Sequence, residues 1–414
     1  MKINMQKSFE KYFLAAASAS IFFGYESVRA DWPQFRGPKA SSVSLEAKIP
    51  TQFNGETKEN IEWGTLLPGR SVGGAIVVGD QVITTSSSGM DQRRLHLISL
   101  NNKDGSIRWQ QDLVARGRPF CHPTSANAAP TPACDGKHVF AFYSSNDLAC
   151  VDLEGNLVWY RSLSTDFPKA GNDVGMSSSP LAIDGVCIVQ VECQGDSFAA
   201  GLSGEDGRIL WKIDRPKQAN WASPVAIDSP TGGQIVVLQS GQSLVAVAPR
   251  TGEIVWTIDL KCSTIPSAMA AENRLFVPAS GLTVFDLSSS GSVPSKLWDN
   301  NKLSANACCP LVVGKRVYTI SRTVLSCADL FSGEIKWQSR LGDAKSIWSS
   351  PVVAGNLLYI FTEEGKCLVI QLNDDKGEVI ETNDMGESVL GSPAISGNAM
   401  YVRGVSKLWK IAQK

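Results

Sequence analysis

"LFSGEIKW", residues 330–337, places a glycine four residues before a tryptophan. The same arrangement returns in "NNKDGSIRW" (101–109), "DLEGNLVW" (152–159), "SGEDGRILW" (203–211) and "PRTGEIVW" (249–256). In each, the glycine supplies a turn and the residues after it alternate apolar and polar as a strand does. Weaker copies end at Trp298, where Pro294 holds the glycine's place, and at Glu381, where Gly377 is kept but the tryptophan is lost. Trp63 in "NIEWG" stands alone near the start. These ends recur about every 39 to 52 residues, the period of a propeller blade.

Within 344–381 the text divides into "SIWSSPVVAG", "NLLYIFTEEG", "KCLVIQLNDDKG" and "EVIET", four short alternating strands separated by glycine or Asn-Asp turns. A four-stranded unit has two apolar faces and cannot bury both alone, so the units must stack radially. The expected fold is all-β, an eight-bladed propeller over 60–414. Residues 392–412 hold enough chain for three strands and residues 60–66 for one, so the last blade is expected to be closed by the N-terminal strand, leaving no open edge. Trp63, Trp109, Trp159, Trp211, Trp256, Trp298 and Trp337 then have a structural task, lying across the gaps between blades against glycine turns.

Three lysines ahead of "YFLAAASASIFFGY", with small residues at Val28 and Ala30, mark residues 1–30 as a secretory signal peptide. The apolar run is about half of what a membrane span needs, so no anchor is expected. No cysteine precedes Cys121, which argues against lipid attachment at the mature end. The product is expected to be exported, periplasmic or extracellular, and monomeric, with residues 31–59 a tag and linker. A net charge of −1 and 19% charged residues give no nucleic-acid footprint. Ten cysteines are too few for a disulfide scaffold, and Cys150, Cys327 and Cys367 sit in apolar runs where a thiol serves as a small hydrophobe.

A phrase of the form A-x-D-x-x-x-G-x-x-x-W resembles the tryptophan-docking repeat of the pyrroloquinoline quinone (PQQ)-like propeller family. "CADLFSGEIKW" matches at Asp329, Gly333 and Trp337 with Cys327 in place of alanine; "AVAPRTGEIVW" matches at Ala246, Gly252 and Trp256 with Ala248 in place of aspartate. "DWPQFRGP" (31–38) resembles the N-terminal tag of secreted bacterial members. The resemblance implies a fold shared by quinoprotein dehydrogenases and by noncatalytic proteins such as the outer-membrane barrel-assembly propeller lipoprotein, so fold alone does not give activity.

A dehydrogenase of this kind needs calcium with oxygen ligands, a carboxylate base and flat groups around the quinone, and the resemblance adds a vicinal cysteine pair lying on the cofactor. Cys308 and Cys309 in "NACCPLVV" are such a pair, yet they occupy the slot that reads "SSSP" at 177–180 and "WSSP" at 348–351, where cysteine replaces serine at similar volume. With the loops joining outer to inner strands on one face, the candidate funnel residues are His122, Asn127, Asn172, Asp173, Asn220, Trp221, Asn306, Cys308, Cys309 and Trp348. No long inter-blade insertion, no C-x-x-C-H haem site, no metal-ligand spacing and no Ser-His-Asp spacing is found. The leading expectation is therefore a noncatalytic scaffold binding a protein or peptide on its funnel face, with no catalytic residue, metal or cofactor; the alternative is an alcohol or sugar dehydrogenase using PQQ and calcium. "RGRPFCHPTSAN" (116–127) and "DFPKAGNDVG" (166–175) are the longest insertions on that rim and the first place to look for a ligand.

Overall fold

The computed structural model describes residues 32–172, 174–289, 293–342 and 344–414; the expected signal peptide lies outside them. Eight sheets are formed; the first seven blades are each built on four consecutive antiparallel strands, the seventh with the short parallel strand Val43–Ser44 added at its edge. Blades 1 to 7 span 75–114, 133–162, 181–214, 225–259, 269–300, 311–340 and 352–384. Blade 8 joins three strands from 394–411 to Ile61–Leu66, whose Ile61 pairs with Ile411 and whose Leu66 pairs with Lys407. The closure expected from the split repeat is therefore present.

Apolar clusters lie between neighbouring blades. Phe140, Phe142 and Leu148 of blade 2, for example, pack on Val189, Phe198 and Leu202 of blade 3. The repeat tryptophans extend this packing to the rim, and six of them, Trp63, Trp109, Trp159, Trp211, Trp298 and Trp337, lie against the repeat glycine of the following blade. A Cβ built on Gly105 would meet the Trp63 ring at 2.6 Å, on Gly207 the Trp159 ring at 2.6 Å, and on Gly333 the Trp298 ring at 2.4 Å. The indole N–H donates to a carbonyl of that same turn, from Trp63 to Asn102 at 3.0 Å, from Trp159 to Gly204 at 2.8 Å and from Trp211 to Pro249 at 2.8 Å. In each outer strand the register shifts at the residue just before the tryptophan position, a bulge that re-aims the ring across the gap.

The loss of tryptophan at Glu381 now has a cause. Its ring would dock on a turn between the third and fourth strands of blade 8, and these come from opposite ends of the chain, so no turn joins them. The N-terminal segment covers that gap instead: Gln52 Nε2 donates to Glu381 Oε2 at 3.0 Å, and buried Phe53 lies beside Phe361 with its N–H donated to Asn383 at 2.8 Å.

Residues ahead of the closing strand fold back on the propeller. Trp32, 2% exposed, exchanges backbone hydrogen bonds with Val77 of blade 1, and Pro33 accepts the N–H of Cys134 in blade 2 at 2.8 Å. Arg36 Nη2 donates to the Ala268 carbonyl at 2.6 Å beside blade 5, and Val43–Ser44 runs parallel to Val353–Ala354 of blade 7. The segment thus crosses the central axis. Among the described residues no helix is long and apolar enough to span a membrane.

Candidate functional site

Each blade is entered from the top-face loop through one residue that faces the axis: Gly74, Thr131, Ser179, Ser223, Ser267, Cys309, Ser350 and Ser392. Around the ring, the backbone N–H of each donates to the side chain of the next. The distances are 2.9 Å from Gly74 to Thr131, 3.0 Å from Thr131 to Ser179, 2.9 Å from Ser179 to Ser223 and 2.9 Å from Ser223 to Ser267. The belt continues at 3.2 Å from Ser267 to Cys309 Sγ, 3.2 Å from Cys309 to Ser350 and 2.9 Å from Ser350 to Ser392. It breaks only at Gly74, where a Cβ would sit 2.6 Å from the Ser392 carbonyl. Six of the eight precede proline, which holds the preceding residue extended and so keeps the donor pointing sideways to the next blade.

Two residues earlier along each entry segment a second ring follows: Val72, Ala129, Ser177, Trp221, Ile265, Ala307, Trp348 and Leu390. The two rings enclose a cavity of about 430 Å³, with His122, Thr124, Ser125 and Val174 at its mouth and Phe35 also in its wall. Val77 and Cys134, which hold the segment carrying Phe35, lie farther along the inner strands than Gly74 and Thr131, so this segment closes the channel beyond the belt. The result is a cup with a hydroxyl floor. Trp348 is 48% exposed and Ile265 and Val174 are 40% exposed, so the mouth is apolar and open.

Four of the candidate residues, His122, Trp221, Cys309 and Trp348, line the cup. His122 donates its backbone N–H to Val174 at 3.0 Å, Trp221 Nε1 donates to the Gly175 carbonyl at 2.8 Å, and Trp348 Nε1 donates to Glu363 at 3.0 Å. Asn127 and Asn220 are buried away from it: Asn127 ties Gln92 to Ser145, and Asn220 Nδ2 donates to the Gln239 carbonyl at 2.7 Å. Asn306 is exposed outside the cup, Asn172 lines a separate cavity, and Asp173 lies outside the described residues. His138 is 4% exposed, with its ring 6.0 Å from that of Phe140.

The adjacent cysteines are both free thiols and have separate roles. Cys309 accepts the Ser267 N–H in the belt, whereas Cys308 turns into the apolar layer between blades 6 and 7, with Sγ 3.5 Å from the Ser349 carbonyl. Burial pushes the Cys308 thiol well above its ordinary pKa. The serine-slot reading fits this arrangement.

The described lining includes no Asp, Glu, Asn, Gln, Lys or Arg. Calcium seeks six to eight oxygens, carboxylates among them, and the three carboxylates of PQQ need cations or many donors. The cup's walls do not fit that pair, and no group of three His, Cys, Asp or Glu able to hold a metal occurs among the described residues.

One constellation escaped sequence reading. Ser88 Oγ lies 2.7 Å from His96 Nε2, and His96 Nδ1 lies 2.7 Å from Asp112 Oδ1, across three successive strands of blade 1. Strand register brings them together, and sequence spacing carries no sign of it. None of the three lines the cup.

The model for the family described as outer membrane protein assembly factor BamB matches residues 51–200, 98–339 and 322–414. A polyvinylalcohol dehydrogenase from Pseudomonas sp is 27% identical over 37% of this chain, and the match spans only 24% of that protein's length. Among solved structures, BamB from Moraxella catarrhalis superposes with a TM-score of 0.62 at 18% identity, over 84% of this chain and 96% of that one. A europium-containing methanol dehydrogenase gives 0.66 at 12% identity, over 92% and 91%. These structural likenesses speak to the fold alone. With the repeat, the eight blades and the family match extending from residue 51 to 414, the chain belongs to the PQQ-like propeller family described by BamB.

Proposed function

We propose that this is an exported, noncatalytic propeller that works as a monomer in the periplasm or outside the cell and holds an uncharged, partly apolar segment of a protein partner in its funnel. The observation that carries the reading is the cup itself: an open apolar mouth at Trp348, Ile265 and Val174 over a hydroxyl floor, with His122 and Cys309 the only titratable side chains in the described lining. Burying exposed apolar surface in a preformed concavity favours association, while hydroxyls and carbonyls around the floor select for peptide-like hydrogen bonding. A family described as an assembly factor is in keeping with binding.

The test places a photo-crosslinking residue at Ile265 and, as a control, at exposed Val255 on the outer rim. A defined protein adduct at Ile265 that is absent at Val255 and lost in Trp348→Ala is the expected result. Stoichiometric uptake of PQQ with calcium, accompanied by alcohol-dependent dye reduction, would replace this reading with the dehydrogenase one.

A further inference from the structure

A second cavity of about 290 Å³ lies on the same face, between the insertions that follow the outer strands of blades 1 and 2. Its walls come from Arg116, Arg118, Lys169, Asn146, Asn172 and Ser164, with no acidic residue among the described residues that line it. The nearby carboxylates among the described residues are already engaged. Asp147 accepts the Arg116 and Gly117 N–H groups and the Ser145 hydroxyl, Asp166 pairs with Arg161, and Asp196 accepts the Lys169 backbone N–H. Among the described residues none of the three cations has a carboxylate within ion-pair distance; Arg116 and Arg118 instead lie over the rings of Tyr160 and Phe120, at 5.5 and 4.8 Å.

Two buried amides complete the wall, and each leaves one polar atom unused. Asn146, 1% exposed, donates Nδ2 to the Ala170 carbonyl at 3.3 Å, while its Oδ1 has no partner. Asn172, 8% exposed, accepts the Val174 N–H on Oδ1 at 3.2 Å, while its Nδ2 has no partner. Buried polar atoms without partners are costly, and two held by side chains in the wall of one polar concavity mark a place where a ligand or its hydration shell completes the bonding. The unused groups are one acceptor and one donor, beneath three unpaired positive charges.

We infer that this cavity binds a small hydroxylated anion, a sugar acid or sugar phosphate, with the anionic group toward Arg118 and Lys169, a hydroxyl donated to Asn146 Oδ1, and an oxygen receiving the Asn172 Nδ2 proton. The site is independent of the funnel cup, with which it shares no lining residue. Arginine and lysine supply the charge attraction, and the buried amides distinguish a hydroxylated anion from a bare one.

Calorimetric titration of the full mature chain with gluconate, glucose 6-phosphate, glucose and inorganic phosphate tests this. Gluconate or glucose 6-phosphate is expected to bind at least tenfold more tightly than either glucose or phosphate, with affinity falling as salt rises. R118E with K169E should abolish binding without moving the melting temperature of the free protein, because both residues are exposed. N172L should weaken binding at least tenfold, and if it fails to fold, N172D, which keeps the size but replaces the donor by an acceptor, serves instead. Absence of binding by both anionic sugars up to about 10 mM, or equal binding by the charge-reversed variant, overturns the inference.

Discussion

Ser267 donates its backbone N–H to the sulfur of Cys309 at 3.2 Å, and that contact makes a thiol one member of a belt otherwise built from hydroxyls. The belt ties neighbouring blades at their narrowest point, so its members are valued as acceptors. Cys309→Ser is expected to keep the belt and leave the melting temperature nearly unchanged. Cys309→Ala leaves a buried N–H without a partner and should cost about 1 to 3 kcal/mol in denaturant unfolding.

Cys308 is separable from its neighbour. Its side chain is 1% exposed among Leu311, Ile347 and Val353, and its thiol is held protonated by burial. In the folded protein, iodoacetamide at neutral pH should therefore label Cys121, the only cysteine that is not buried, while Cys308 reacts only after unfolding. Rapid native labelling of Cys308, or a peptide carrying a Cys308 to Cys309 bridge, would contradict the arrangement.

The docking tryptophans predict an asymmetry around the ring. Trp159→Ala removes a buried ring and the bond to Gly204, and should destabilise by about 3 to 5 kcal/mol. Gly207→Ala should also be costly, because φ there is +70° and the new methyl would meet the Trp159 ring at 2.6 Å. Glu381→Trp, in contrast, restores the repeat's consensus yet should bring no stabilisation, since blade 8 offers no turn to receive the ring. A clear rise in melting temperature for that variant would sink the docking account.

Much of this architecture was legible because a propeller repeats its grammar. Gly333 and Trp337 could be read as turn and strand end, and the one unpaired phrase at Trp63 pointed to the shared blade. What the phrase could not reveal was that a tryptophan pairs with the glycine of the following phrase rather than its own, as Trp159 does with Gly207, because that depends on how blades stack. The funnel was only partly legible for the same reason. His122, Trp221, Cys309 and Trp348 were found from their place in the entry segments, but Asn127 and Asn220 share that stretch and turn their amides back into the loops. Phe35 and the Ser88, His96 and Asp112 line arise from contacts between segments with no common spacing.

Arg36 provides a test of the N-terminal segment as a plug. It is 1% exposed, its Nε and Nη1 have no partner, and burial lowers its pKa. A buried cation so poorly compensated contributes little net stability, so Arg36→Met should be neutral or stabilising, whereas Trp32→Ala should cost about 3 to 5 kcal/mol. Hydrogen exchange would separate the two, with Trp32→Ala increasing exchange along the inner strands of blades 1 and 2 and Arg36→Met leaving them protected.

Glu192 and Arg215 form the most deeply buried ion pair described, Nε to Oε1 at 2.7 Å with side chains 0% and 2% exposed. Burial raises the Glu192 pKa above the usual 4.5, and Arg215, Gln190 and Asn220 offset only part of that. The folded chain therefore keeps this proton to a higher pH than the unfolded chain does. Where the unfolded chain binds fewer protons, stability falls as pH rises, so Glu192 contributes a declining slope between about pH 4.5 and its folded value. Glu192→Gln removes that slope but leaves Arg215 buried without a counter-charge, and should cost about 3 to 5 kcal/mol at pH 7. The paired change Glu192→Leu with Arg215→Met should recover most of the loss, because two apolar side chains of similar volume need no desolvation. Denaturant unfolding of the parent and both variants from pH 4.5 to 7 measures the slope and the cycle together, and a single Gln variant as stable as the parent throughout would show that the pair is not desolvated.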